Sequence, residues 1–140
     1  MEYRRLTGRS GPGAGRPAKL YRRPDSEVAV SIPERRYDLT GELLAAAIEE
    51  SASADRPVRD VLPEMAYSAG REIGASSGSL EAALHNYGFQ PRSDNCEGWV
   101  LGNCPFHQLA RQHTQLICGL NLQLLRGVAD GAGATGTRWC

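Results

Sequence analysis

Long apolar runs are missing from this 140-residue chain. No stretch approaches the roughly 18 consecutive apolar residues of a membrane-spanning helix, so no membrane partner is expected. The first residues are arginine-rich and lack an apolar segment, so no secretory signal is expected. Without one, the expected location is cytoplasmic, where thiols stay reduced. The common catalytic signatures are missing too. There is no P-loop, no G-x-S-x-G, no H-E-x-x-H and no dinucleotide fingerprint. A Cys104–His107 nucleophile pair has no visible orienting third group. The chain is therefore not expected to be an enzyme. No C-x-x-C pair occurs, and no internal repeat is visible.

Net charge is also missing, but only in total. The sixteen basic and sixteen acidic residues are distributed unevenly. Residues 1–24 hold seven basic side chains against Glu2 alone, a net +6, and residues 25–140 hold nine against fifteen, a net −6. This asymmetry reads as a basic arm for a polyanion joined to an acidic, ordinary globular body. The length suits one domain, or one domain with an appendage.

In the arm, "EYRRLTG" reads as a strand, "GRSGPGAG" as a flexible turn and "RPAKLYRR" as the returning strand. A two-stranded hairpin is only marginally stable by itself. "DLTGELLAAAIEESAS" predicts a helix with Leu39, Leu43, Leu44, Ala47 and Ile48 on its core face and Asp38 as N-cap. "PVRDVLPEMAYSAGREIG" predicts another, with Val58, Val61, Leu62, Met65, Ala69 and Ile73 on one face. Pro63 is expected to kink or divide it near Leu62. "SLEAALHNYG" predicts a short helix capped by Ser79 and stopped by Gly88. Beyond Gly88 a short hairpin is expected: Phe89 begins one strand, "RSDN" turns and "EGWVLG" returns. "CPFHQLARQH" opens a helix, with Asn103 as cap and Pro105 in its first turn. Thr114 is expected to cap the last helix, "QLICGLNLQLLRGVADG", and "TGTRWC" to be a strand or a frayed end. The fold class is thus α+β: an N-terminal hairpin, a helical middle, and small antiparallel strands packed with two C-terminal helices. The division expected is residues 1–31 and 32–140.

The cysteines are Cys96, Cys104, Cys118 and Cys140. Cys104 is placed at a helix N-terminus, where free N–H groups and the dipole favour a thiolate. His107, three residues on, would share its face. A tight turn near His113 can bring Cys118 to Cys104, and Cys96 sits just before the strand that feeds Cys104. Three thiols can then converge, with Cys140 or His107 as a fourth ligand. Sulfur-rich tetrahedral sites suit zinc or an iron–sulfur cluster. Two other readings stay open: buried cysteines that merely pack, and a redox switch without metal. His85 and His113 read as surface or capping residues.

At "GRPAKLYR" and "NCPFHQLARQHTQLICGLNLQLL" the chain resembles the ArsR-like winged-helix transcriptional regulators related to SufR, a repressor of iron–sulfur cluster assembly genes. Gly15, Arg16, Pro17 and Tyr21 match that family's wing segment. Cys104, Pro105, Phe106, Leu109, Ala110, Cys118 and Gly119 match its cysteine segment. The resemblance implies a homodimeric DNA-binding regulator. Arg4, Arg5, Arg9, Arg16 and Lys19 would meet phosphates of double-stranded DNA. Cys104 and Cys118, with Cys96 and with His107 or Cys140, would hold a metal or cluster. A winged helix reads bases with a recognition helix that precedes the wing. None precedes it here, so the chain is expected to be a fragment, shortened before that helix and after Cys140 as well. Its DNA contacts would be weak, salt-sensitive and blind to sequence.

Overall fold

The computed structural model describes residues 2–4, 18–20, 34–94 and 98–139, and the chain divides into two units, Met1–Val30 and Ser31–Cys140. In the first unit, β1 (Glu2–Arg4) pairs antiparallel with β2 (Ala18–Leu20), Tyr3 opposite Lys19. The expected turn between them, and the wing residues Gly15, Arg16, Pro17 and Tyr21, lie outside the described residues.

The second unit is mostly helical, with a small sheet, and the molecule is α+β. Its described elements are α1 (Tyr37–Ala54), α2 (Val58–Ser76), α3 (Leu80–Asn86), β3 (Pro91–Asp94), β4 (Gly98–Leu101), α4 (His107–Gln112) and α5 (Thr114–Gly131). No helix among the described residues is long and apolar enough to cross a membrane.

Helix α1 buries Thr40, Leu43 and Ala47. Among the described helices it packs along α2. One neighbour covers only a narrow stripe, so Ile48, expected in the core, is 58% exposed. Its N-cap is Arg36, not Asp38, which sits in the first turn. At its end Asp55 adopts a left-handed conformation, φ 51°, and its N–H reaches the carbonyl of Ser51.

Helix α2 runs through Pro63 undivided. A mid-helix proline removes one hydrogen bond and costs about 3 kcal/mol. The carbonyl it leaves free belongs to Arg59, an exposed residue, so water can serve it. On either side Val61, Leu62 and Ala66 are buried, and each large apolar side chain so buried returns roughly 1.5–3 kcal/mol.

The centre of the unit is the seam between α2 and α5. Gly70 and Gly74 on α2 meet Gly127 and Gly131 on α5. A Cβ added at Gly70 would strike the Leu124 carbonyl and lie 2.9 Å from the Val128 amide nitrogen. One at Gly74 would strike the Val128 carbonyl and lie 2.8 Å from the Ala132 nitrogen. On the facing helix, Gly127 abuts Tyr67 and Arg71, and Gly131 abuts Arg71. Numbers rise together along both helices, so the pair is parallel. Small residues four apart let two helix backbones approach directly. Around the seam, Leu120, Leu124 and Val128 join Val61, Leu62, Ala66 and Ile73 in one core. The Tyr67 hydroxyl crosses between the helices and donates to Asp130 Oδ2 at 2.7 Å.

Helix α3 is bounded as its sequence predicts. The Ser79 side chain accepts from the Ala82 N–H at 3.2 Å, and Gly88 turns the chain at φ +79°. The following hairpin starts later than expected. Phe89 is not in a strand; it is buried, and its ring meets Phe106 edge-on, centroids 6.2 Å apart and planes at 89°. Arg92, Ser93 and Asp94, read as turn material, are instead β3, paired antiparallel with Val100, Trp99 and Gly98 of β4. The tail adds a parallel bridge: the Trp99 N–H donates to the Arg138 carbonyl at 3.0 Å, and Trp139 lies opposite Trp99.

Candidate functional site

The segment Asn103–Phe106 does not open a helix. Helix α4 begins at His107 with Phe106 at its N-cap position and no side-chain cap. The reason is where Asn103 spends its side chain. Its Nδ2 donates to the carbonyls of Gly88, at 2.6 Å, and Glu34, at 3.2 Å, while its Oδ1 accepts from Arg35 Nη1 at 2.9 Å. Its own N–H donates to the Phe89 carbonyl at 3.1 Å. With its Oδ1 turned to Arg35, the amide makes no bond to the first N–H groups of α4. Pro105 and Phe106 are buried behind it. The corner is a structural hub joining the start of α1, the end of α3, the hairpin and α4.

Cys104 sits inside this hub. Its carbonyl accepts from Arg35 Nη1 at 2.7 Å and from the His107 N–H at 3.1 Å. Its side chain is half-buried against the core. This corrects the expected placement: Cys104 precedes α4, whose first residue is His107, so the two do not share a helix face. His107 itself is exposed.

Cys118 does lie on α5, one residue after buried Ile117. That step of about 100° turns it outward, and it is exposed, with Leu122 on the same side 41% exposed. The break between α4 and α5 falls at His113, as expected, but His113 is the N-cap position of α5 and Thr114 its first residue. The Thr114 hydroxyl donates back to the Ala110 carbonyl at 2.8 Å instead of capping. His85 and His113 are both exposed.

Of the other ligand candidates, Cys96 and Cys140 lie outside the described residues. Among the described residues, no three His, Cys, Asp or Glu side chains come together as a metal-holding group. Cys104, Cys118 and His107 therefore do not make a site by themselves. Of the phosphate-contact candidates, Arg4 is in β1 and Lys19 in β2, while Arg5, Arg9 and Arg16 lie outside the described residues.

Beside the hub, Arg36 anchors the entry to α1. Its guanidinium pairs with Asp38 at 3.1 Å, donates to the Asn86 carbonyl at 3.3 Å and covers the Tyr87 ring at 4.6 Å. The hydrogen bond from Arg36 holds the Asp38 carboxyl below the usual carboxylate range and raises the guanidinium in return. Sequence inspection assigned Arg35, Arg36 and Asn103 no such roles. The one local signal was the basic pair just before a helix; their partners lie up to 69 residues away.

A groove of about 470 Å³ runs between α1 and α2, floored by Leu43, Val61, Met65 and Ala69 and rimmed by Glu50, Glu64, Glu72 and Arg56. Neither histidine nor cysteine lines it. Compared with known proteins, the chain matches no family model, no curated protein and no solved structure.

Proposed function

We propose that the chain is the arm-and-sensor portion of a DNA-binding transcriptional regulator of the ArsR/SufR-like kind. The observation that carries this reading is the agreement between charge and fold. The unit Met1–Val30 holds seven basic residues against three acidic ones, net +4, and the unit Ser31–Cys140 nine against thirteen, net −4. The basic unit contains an antiparallel hairpin, a shape that can lie along a duplex while Arg4, Arg5, Arg9, Arg16 and Lys19 neutralise phosphates. The motif residues from Cys104 to Gly119 support the family assignment. Their structural use is informative: Pro105 and Phe106 build the hub that holds Cys104, and Cys118 is left open on α5.

The sensing half takes one of two forms. A zinc ion or iron–sulfur cluster would be held by Cys104 and Cys118, completed by Cys96 and by His107 or Cys140. The described residues alone do not supply three convergent donors. A metal-free thiol response is favoured by the direct attachment of Cys104's backbone to Arg35. Either form acts in a homodimer, where a change in the helical unit alters the spacing of two arms on DNA.

Fluorescence anisotropy with a labelled duplex tests the arm. Binding is expected to be weak and insensitive to sequence, and to fall with salt by about 0.9 log units per log unit for each phosphate neutralised. Replacing the five named basic residues with Gln should abolish it. Affinity unchanged by that replacement refutes the DNA reading. Anaerobic reconstitution with iron and sulfide, read by visible absorption, together with elemental analysis for zinc, tests the metal form. A colourless protein without zinc leaves the thiol form or a structural dimerisation module whose cysteines merely pack.

A further inference from the structure

We propose that the groove between α1 and α2 is a docking site for a basic, amphipathic helix of another protein. Its floor is apolar: buried Leu43 and Val61, with half-buried Met65 and Ala69 beside them. Its banks are acidic: Glu50 stands on α1, and Glu64 and Glu72 stand on α2. Nothing in the groove depends on the basic arm or on the thiols, so its test and the DNA test fail separately.

The spacing along α2 builds this face. Val61, Met65, Ala69 and Glu72 recur every three or four residues and so stand on one side of the helix. Gly70 follows Val61 by nine residues, two and a half turns, which puts the α5 seam on the opposite side of α2. A ligand in the groove therefore leaves the seam untouched. The short side chain of Ala69 leaves room above the floor, and the flexible thioether of Met65 can repack against an incoming side chain.

Charge selects the occupant. Arg56 is the one cation among the lining residues, and Glu64 holds it in a fork, Nη2 to Oε1 at 2.6 Å and Nη1 to Oε2 at 3.0 Å. Among the described residues, Glu50 and Glu72 have no cationic partner. An acidic groove repels nucleic acid, an anionic membrane and the same groove of a second copy. A purely basic tail would leave the apolar floor wet, so the occupant needs apolar side chains as well. Glu64 and Glu72 stand eight residues apart, about 12 Å along α2. That exceeds the reach of one small cation and equals about two turns of a helix laid alongside. Two apolar side chains four residues apart would fill the floor, and lysines or arginines a turn beyond them would meet Glu50 and Glu72. This is recognition of an amphipathic helix in a groove, with the banks choosing its charge.

Fluorescence anisotropy tests it with the full chain and a labelled, amidated helical peptide of about 15 residues, carrying two leucines four apart with lysines a turn to either side. Saturable binding is expected, with a Kd of about 100 μM or tighter. Replacing the leucines with Gln, or the lysines with Glu, should weaken it about tenfold or more, because floor and banks both contribute. On the protein, Glu50→Lys with Glu72→Lys should weaken it as much, and both side chains are exposed, so the fold is kept. Ala69→Phe fills the floor and should block binding; should that variant melt early, the charge pair decides. No binding up to about 1 mM overturns the proposal. So does binding that survives loss of the leucines, which is charge attraction alone, and so does binding indifferent to Glu50→Lys with Glu72→Lys. Self-association in sedimentation that Ala69→Phe abolishes would give the groove to a second copy. Tighter peptide binding once Arg4, Arg5, Arg9, Arg16 and Lys19 are replaced with Gln would give it to the chain's own arm. Either result overturns the proposal as well.

Discussion

The α2–α5 seam and the Asn103 corner hold the same unit together by opposite means. At the seam, backbones meet through glycine, with almost nothing but main-chain atoms at the closest points. At the corner, three segments far apart in sequence are joined by the side chains of one amide and two guanidinium groups. The seam has no slack, because its fit is steric. The corner has slack, because each of its polar groups has water as an alternative partner. Steric fit makes a permanent core, and exchangeable hydrogen bonds make a place that can open locally.

The difference is sharpest at Gly127. Gly127→Ala places a methyl on the Tyr67 carbonyl and 2.9 Å from the Arg71 nitrogen, atoms that cannot rotate away. A loss of about 3 kcal/mol or more is expected, the upper end for overpacking, read as a fall in the urea midpoint. A loss below about 1 kcal/mol, the lower end of that range, would show that the helices separate easily and that the contrast is overstated. Asn103→Ala should cost less, about 2 kcal/mol, since it leaves the Gly88 and Glu34 carbonyls to water. Its loss should appear in exchange at residues 34–40 and 88–90 before it appears in α2.

Some of this architecture was legible in the sequence. The apolar spacing of α1, α2 and α5, the Ser79 cap and the Gly88 stop are local signals, and local geometry honoured them. The seam was less legible, although Gly70 and Gly74, and Gly127 and Gly131, stand four apart in plain view. Glycine within a helix ordinarily reads as a weakness of about 1 kcal/mol, and only the second helix turns it into a contact. Asn103 misled for a related reason. Asn two places before Pro is a good helix start by composition, but Glu34, Arg35 and Gly88 claimed its side chain first. Phe89 read as a strand residue by propensity, and the Phe106 ring drew it into the core. At the candidate site, the cysteine spacing was visible, while the inward lean of Cys104 and the outward lean of Cys118 depended on packing partners elsewhere in the chain.

A smaller effect tests the one polar bond that crosses the seam. The Tyr67 hydroxyl donates to Asp130, and that bond lifts the phenol above its ordinary value. A raised folded value means that the contribution is fully present below the unfolded phenol value of about 10. It is lost as pH rises through the higher folded value. Tyr67→Phe should therefore lower the urea midpoint slightly at neutral pH, with the difference from wild type shrinking in strong alkali. Urea melts of both proteins at neutral and alkaline pH check it. A difference independent of pH would assign the loss to packing alone.

Parallel helices impose a sequence of events on the chain. The 19 residues of α2 extend for about 28 Å at 1.5 Å per residue, and everything between Ser77 and His113 must carry the polypeptide back over that distance before α5 can run alongside. Nearly sixty residues separate Gly70 from its partner Gly127, a loop whose closure entropy is met before any contact repays it. During synthesis α2 thus emerges with its glycine face bare, and it stays bare until the last turn of α5 has left the ribosome.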